Sequence, residues 1–299
     1  MPEIVRTILP KLLRPAETLR ALRLRTDLGW LTMRNRFAGA PVANGNPGPV
    51  VSLTTYGKRA YGVYLAIESI ARGDCLPSRL ILWLDDAALY ANLPAPLLRL
   101  KRRGLEIRFC KNYGPHKKYF PYVQSEQDFT APLATADDDV IYPRSWLAGL
   151  VNAHDRFPFC VNCYRARVMM LRGSQIAPYR EWPLCQSTEP SYRTVATGVS
   201  GVIYPIALLA ELKRAGAGFE VCCPRADDLW LHARAIRSSF QIRQIQPEAI
   251  LFPLIPGSQE TSLYGENCAL DDGNDRQLAG TYEAVDMELF GCNRVAASA

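Results

Sequence analysis

Residues 133–143 read LATADDDVIYP, a short run of small and apolar residues that ends in Asp137, Asp138 and Asp139 and then turns apolar again. Three adjacent carboxylates repel one another and lose hydration when buried, so they call for a compensating cation or an exposed lip. Hard divalent ions such as Mg²⁺ and Mn²⁺ take oxygen ligands, and carboxylates beside a diphosphate can share such an ion with it. The ion then neutralises a leaving phosphate. A solvated acidic turn is the plainer alternative. A second acidic pair, Asp227 and Asp228, stands in CPRADDLWLHARAIR, where Pro224 and the apolar spacing predict the first turn of a helix. A helix N-terminus favours an ionised carboxylate.

The elements that must position these residues alternate in type. VVSLTTY (50–56) reads as a buried strand, RAYGVYLAIESIAR (59–72) as a helix and RLILWLDD (79–86) as a strand. APLLRLKRRG follows as a helix closed by Gly104, and LEIRFCK (105–111) as a third strand. The APLATA strand leads into the three aspartates, and YPRSWLAGLVNAHDRF reads as a helix opened by Pro143. Strands alternating with helices imply a mostly parallel sheet covered on both faces, and in such sheets ligands bind outside the carboxyl ends of the strands. Thr54, Thr55 and Tyr56, then Asp85 and Asp86, then the three aspartates all end strands at that edge. Position therefore favours a site over a solvated turn.

With 299 residues and 48% apolar composition the chain can bury a sizeable core. No apolar run reaches the roughly 18–20 residues that span a bilayer, and the N-terminus lacks the apolar segment of a secretory signal, so a cytoplasmic location is expected. Nine cysteines, an odd number scattered through apolar segments, suit reduced core thiols. Cys160 and Cys163 form a CxxC, but no second pair accompanies it and FPFCVNCYRARVMM reads as a strand. His116, His154 and His232 are too scattered for a histidine-rich metal site.

The net charge of +6 is unevenly placed. Arg6, Lys11, Arg14, Arg20, Arg23, Arg25, Arg34 and Arg36 face only Glu3, Glu17 and Asp27 in residues 1–40, with apolar residues recurring every three or four positions between them. That pattern predicts an amphipathic helix, or a broken pair of helices, able to lie on an anionic membrane surface or to pack on its own domain. Trp30 and Phe37 are its only aromatic residues, which argues against nucleic acid as a partner. The Gly/Pro/Asn stretch 39–49 separates this arm from the rest, which predicts an arm and linker over 1–46 and one domain over 47–299.

The segments VSLTTYGKRAYGVYLAIESI, PSRLILWLDD, GPHKKYFPYV, ATADDDVIYPRSWLAGL, TGVSGVIYP, CPRADDLWL and NDRQL, in this order over roughly residues 50–278, resemble those of a family of bacterial glycosyltransferases with the GT-A fold. The resemblance implies a Rossmann-like α/β/α sandwich with a mostly parallel central sheet behind the N-terminal helical arm. It also implies a nucleotide-sugar donor, a UDP-sugar, and a DxD-type cluster holding Mn²⁺ or Mg²⁺ on the diphosphate. Asp139 matches the usual metal ligand, and Asp137 and Asp138 match positions that reach ribose or the metal. Thr54, Tyr56 and Arg59 match the nucleotide end of the first strand, and Asp85 a base or ribose contact, with helix capping as the alternative for it or Asp86. Lys117, slightly favoured over Lys118, offers a cation for the phosphates. Gly198 and Gly201 in TGVSGVIYP allow a close backbone approach to a ligand or form a tight turn. Asp228, ahead of Asp227, matches the base that takes the acceptor's proton. The acceptor implied is a glycan or a lipid-linked saccharide in surface polysaccharide synthesis, handled at the inner face of the cytoplasmic membrane. A sugar-nucleotide nucleotidyltransferase would share the fold and carboxylates, though TTYGKRAYG is a poor version of its Gly-rich loop. A non-catalytic glycan-binding relative would be expected to lose an acidic pair.

Overall fold

The computed structural model describes residues 15–173, 175–258 and 273–291. Its centre is a seven-stranded sheet of β1 (Val50–Thr54), β2 (Arg79–Leu84), β3 (Leu105–Phe109), β4 (Leu133–Ala136), β5 (Cys160–Cys163), β6 (Val202–Tyr204) and β7 (Gln241–Gln244), in the order β3-β2-β1-β4-β6-β5-β7. Neighbours run parallel except at β6, which is antiparallel to both β4 and β5. The helices are α1 (Pro15–Phe37), α2 (Val63–Ala71), α3 (Ala95–Arg102), α4 (Phe120–Ser125), α5 (Trp146–Arg156), α6 (Ile206–Ala215), α7 (Asp227–Arg237), α8 (Gly273–Thr281) and α9 (Ala284–Gly291), with shorter turns between them.

Two-residue alternation divides the strands between two cores. Val51 and Leu53, Leu80, Leu82 and Leu84, and Ala134 and Ala136 turn to the side covered by Ile67 of α2, Leu97 and Leu100 of α3 and Leu150 of α5. Val50, Ile81, Trp83, Leu133, Val161 and Val202 turn to the other, against Val123, Leu209, Leu231, Leu278 and Phe290. Each fully buried aliphatic side chain contributes about 1.5–3 kcal/mol. The result is the α/β/α sandwich with a mostly parallel central sheet that alternating strands and helices predict.

Element ends differ from the periodicity in a consistent way. The strands stop at Thr54, Leu84 and Phe109, so the polar residues that follow lie in the turns beyond the sheet. The helices expected from Arg59, Pro143 and Pro224 begin at Val63, Trp146 and Asp227. Each proline stands in the turn before its helix; the Pro143 carbonyl, for example, accepts the Trp146 N–H at 3.0 Å. Cys160 and Cys163 lie within β5, and all seven described cysteines are free thiols. Among the described residues, no helix is long and apolar enough to cross a membrane.

The basic segment from Pro15 onward is one helix, α1, lying against α2 and α3; residues 1–14 lie outside the described part. Glu68 of α2, fully buried, holds it there. Its carboxylate accepts from Arg34 Nε at 3.1 Å, from Asn35 Nδ2 at 3.1 Å and from Arg103 through both terminal nitrogens. Because a buried ion pair that loses one partner leaves the other charge uncompensated, Glu68→Ala is expected to cost about 3–5 kcal/mol. Denaturant unfolding checks this: a loss below about 1 kcal/mol would mean that the network is open to water.

Candidate active site

The turns after β1, β2 and β4 open onto one cavity of about 1040 Å³ at the carboxyl edge of the sheet. Thr54, Tyr56, Arg59, Asp85, Lys117, Asp137, Asp138, Asp139, Gly198, Asp227 and Asp228 all line it. Gly201 does not. It adopts φ +102° and lies so close to the Trp146 indole that a Cβ there would stand 2.5 Å from Nε1, so it serves a turn against α5.

On the first wall β4 ends at Ala136, and the three aspartates fall where the chain leaves the sheet. The Asp137 N–H donates to the buried Tyr142 hydroxyl at 2.7 Å, which fixes the turn. One guanidinium nitrogen of Arg59 lies between Asp138 Oδ1, 2.8 Å away, and Asp139 Oδ2. The Thr55 hydroxyl donates to Asp138 Oδ2 at 2.6 Å. Burial pushes Asp138 up to about 6, against the opposing pull of Arg59 and Thr55. Asp139 is also raised, by burial and then by Asp137. Arg59 Nε is buried and has no hydrogen-bond acceptor among the described residues.

The facing wall is the start of α7. The Gly198 N–H donates to Asp228 Oδ1 at 2.8 Å, and a Cβ on Gly198 would come within 3.1 Å of that oxygen. Burial, and after it the Asp227 charge, raises the Asp228 carboxyl well above the ordinary carboxylate range. Both effects oppose the helix N-terminus, which favours the ionised carboxylate by about 0.3–1 kcal/mol at an exposed end. Lys118 reaches between the walls. Its ammonium pairs with Asp137, and against the cost of burial the charges of Asp137, Asp227 and Asp228 hold it protonated.

Lys117 and Asp85 pair with each other at 2.5 Å. Asp86 is the capping residue, accepting the N–H groups of Ala88 at 2.9 Å and Leu89 at 3.0 Å. The Thr54 hydroxyl donates to the Trp83 carbonyl at 3.0 Å, and the Tyr56 ring lies 5.4 Å from the Arg59 guanidinium. Several residues at the cavity have no counterpart in the sequence-level expectations. These are Arg165, Arg167, Tyr179 and Arg225, which line it; Thr55, already placed at this edge by its sequence, backs Asp138. Arg165 Nη1 donates to Thr197 Oγ1 at 2.9 Å, and Arg167 lies over the Tyr179 ring at 5.5 Å. Their one sequence signal is the two-residue spacing of the arginines around a short strand, Ala166–Val168.

The histidines stay out of the site chemistry. His116 stacks on Phe219, and His232, pushed down to about 4 by burial, joins the Tyr282 hydroxyl at 2.7 Å and the Tyr192 carbonyl at 2.9 Å.

A divalent ion fits this aspartate cluster. A cationic nitrogen already lies across Asp138 and Asp139, and the burial that raises both carboxyls is what a nearby positive charge offsets. No group of three or more His, Cys, Asp or Glu side chains arranged to hold a metal occurs among the described residues.

No family model matches the sequence, and no curated protein matches it. Solved structures do resemble the fold. Residues 1–349 of S. aureus TarS are 15% identical, over 81% of this chain and 68% of that one, with a TM-score of 0.46. The mannosyltransferase PcManGT from Pyrobaculum calidifontis, in complex with GDP-Man and Mn²⁺, is 12% identical over 88% of this chain and 74% of its own, with a TM-score of 0.48. The 4-diphosphocytidyl-2C-methyl-D-erythritol synthase from Anaerococcus prevotii is 10% identical over 76% of this chain and all of its own, with a TM-score of 0.44. Likenesses this distant carry no substrate or residue role to this chain.

Proposed function

We propose that the chain is a divalent-metal-dependent glycosyltransferase. It moves a sugar from a nucleoside diphosphate sugar, a UDP-sugar by sequence resemblance, to a hydroxyl of a glycan or lipid-linked acceptor in surface polysaccharide synthesis. One observation carries this reading: a cavity at the carboxyl edge of the sheet has a strand-end aspartate cluster on one wall and, across Lys118, a half-buried carboxyl held by a backbone N–H on the other.

In this reading Asp139, with Asp137, holds Mn²⁺ or Mg²⁺, while Thr54, Tyr56 and Asp85 border the nucleoside. The ion supplies positive charge that neutralises the diphosphate as it leaves. Arg59, whose Nε–H lacks an acceptor among the described residues, offers a donor to a phosphate oxygen. Gly198 orients Asp228, which takes the proton of the acceptor hydroxyl as that oxygen attacks the anomeric carbon. The glycosidic bond forms as the bond to the diphosphate breaks. Lys118, between Asp137 and Asp228, steadies both carboxylates.

A nucleotidyltransferase could use the same aspartates but has no need for a proton acceptor on the facing wall. Incubation with UDP-sugars, Mn²⁺ and a saccharide acceptor tests the difference. Release of UDP is expected; release of pyrophosphate from a nucleoside triphosphate and a sugar phosphate would sink the transferase reading.

A further inference from the structure

The face of α1 turned away from the domain carries an apolar stripe. Leu24, Leu28 and Leu31 pack inward against Leu65, Ile141 and Ile255. With 3.6 residues per turn, Leu19, Leu22, Trp30, Met33 and Phe37 fall on the opposite side of the helix. All five are exposed, from 48% at Leu19 to 69% at Phe37. At 1.5 Å per residue the stripe runs about 27 Å. Scattered surface hydrophobics are ordinary, but five exposed apolar side chains on one helix face with a charged rim mark an interaction surface; Thr26 and Gly29 stand between Leu22 and Trp30, whose ring is flanked by Arg34 and Arg72. The rim here is basic: Arg20 and Arg23 border one side, Arg25 and Arg36 the other, and all four are exposed. Asp27 is already engaged by Arg72 at 3.2 Å.

We propose that this face of α1 docks on an anionic lipid surface, with the stripe at the acyl boundary and acidic headgroups meeting the flanking arginines. Charge separates lipid from a second copy of the chain. Two-fold pairing through the stripe would set like-charged arginine rows beside each other, whereas an acidic leaflet complements both rows at once. The placement also bears on the cavity. Ile255, packed beneath α1, follows Leu254, which lines the cavity wall, and the Ile255 N–H donates to the Asp139 carbonyl at 2.7 Å. The helix that docks is thus one residue removed from the cavity wall.

The docking is independent of the glycosyl-transfer reading and is tested without nucleotide or metal. The full chain is sedimented with phosphatidylcholine vesicles that do or do not contain phosphatidylglycerol. Partition at least about tenfold stronger onto the acidic vesicles, and reversed by salt, is expected. Leu22→Ser with Met33→Ser and Phe37→Ser should lose at least about tenfold of it, with thermal unfolding unchanged because these side chains are exposed. Replacing Arg20, Arg23, Arg25 and Arg36 by Gln should abolish the preference for acidic lipid. Equal binding of the wild type to both vesicles, no binding, or wild-type binding by folded variants would overturn the proposal. So would a lipid-free dimer in sedimentation velocity that the serine variant dissociates, since it would assign the stripe to a second copy.

Discussion

Asp228→Asn is expected to lower turnover about 10²- to 10⁴-fold, the range for loss of a positioned general base, while nucleotide affinity stays within about twofold, less than 0.5 kcal/mol. The amide keeps the size of the side chain and can still accept from Gly198 N–H, so the start of α7 should stay in place. What it cannot do is take a proton. The pH dependence has a definite sign. Burial and Asp227 raise the Asp228 carboxyl, so below its folded pKa the base carries its proton and is inactive. Turnover should therefore rise with pH through neutrality. Asp227→Asn removes a raising charge and should move that rising limb to lower pH; Lys118→Met removes a lowering one and should move it to higher pH. Single-turnover rates from pH 5.5 to 9 would check this, because an ordinary aspartate, titrating near about 4, would be ionised throughout that range and give a flat profile. Near wild-type rates in Asp228→Asn would remove it as the base, and loss in Asp227→Asn instead would move the role by one residue.

Asp139→Ala should abolish the dependence of nucleotide binding on divalent metal. In the wild type, removing metal with chelator is expected to weaken UDP binding at least about tenfold, or 1.4 kcal/mol. A diphosphate brought against Asp137, Asp138 and Asp139 meets like charge, and Arg59 already spends its charge on Asp138 and Asp139. With a divalent cation bound at Asp139, its positive charge would offset both conflicts, and Arg59 would be free to donate to a phosphate oxygen. Calorimetric titration of UDP with Mn²⁺ and with chelator, in wild type and Asp139→Ala, measures the effect. Equal affinity in the wild type under both conditions would exclude a shared metal. A variant that keeps its metal response would shift the ligand role to Asp137.

Which residues of the aspartate and strand-end motifs meet was largely legible, because a parallel sheet brings the carboxyl ends of its strands to one edge whatever its loops do. The partner of each side chain was not. Asp85 and Asp86 are neighbours with the same chemistry, yet one pairs with Lys117 and the other caps a helix. Lys117 and Lys118 divide in the same way, the first closing on Asp85 and the second on Asp137. Adjacent residues in a turn point in different directions, and composition says nothing about which one faces the cavity. Gly201 shows the opposite case: a glycine that spacing associates with a ligand is explained by the indole of Trp146, more than fifty residues earlier.

From the sequence alone follow the α/β class, the alternation of β1 to β4 with helices, the edge at which the acidic clusters collect and the basic helix near the N-terminus. All are local or periodic properties, written in spacings of two and of three or four residues. Tertiary structure decided the rest. The antiparallel β6 between β4 and β5 puts Gly198, just before it, within reach of Asp228. The Glu68 network chose which face of α1 turns inward and so which apolar residues remain outside. Burial and the adjacent Asp227 raise the Asp228 carboxyl, against the pull of the helix N-terminus. The physical reason is common to these cases: desolvation and charge pairing depend on neighbours distant in the chain, and only the packed fold brings them together.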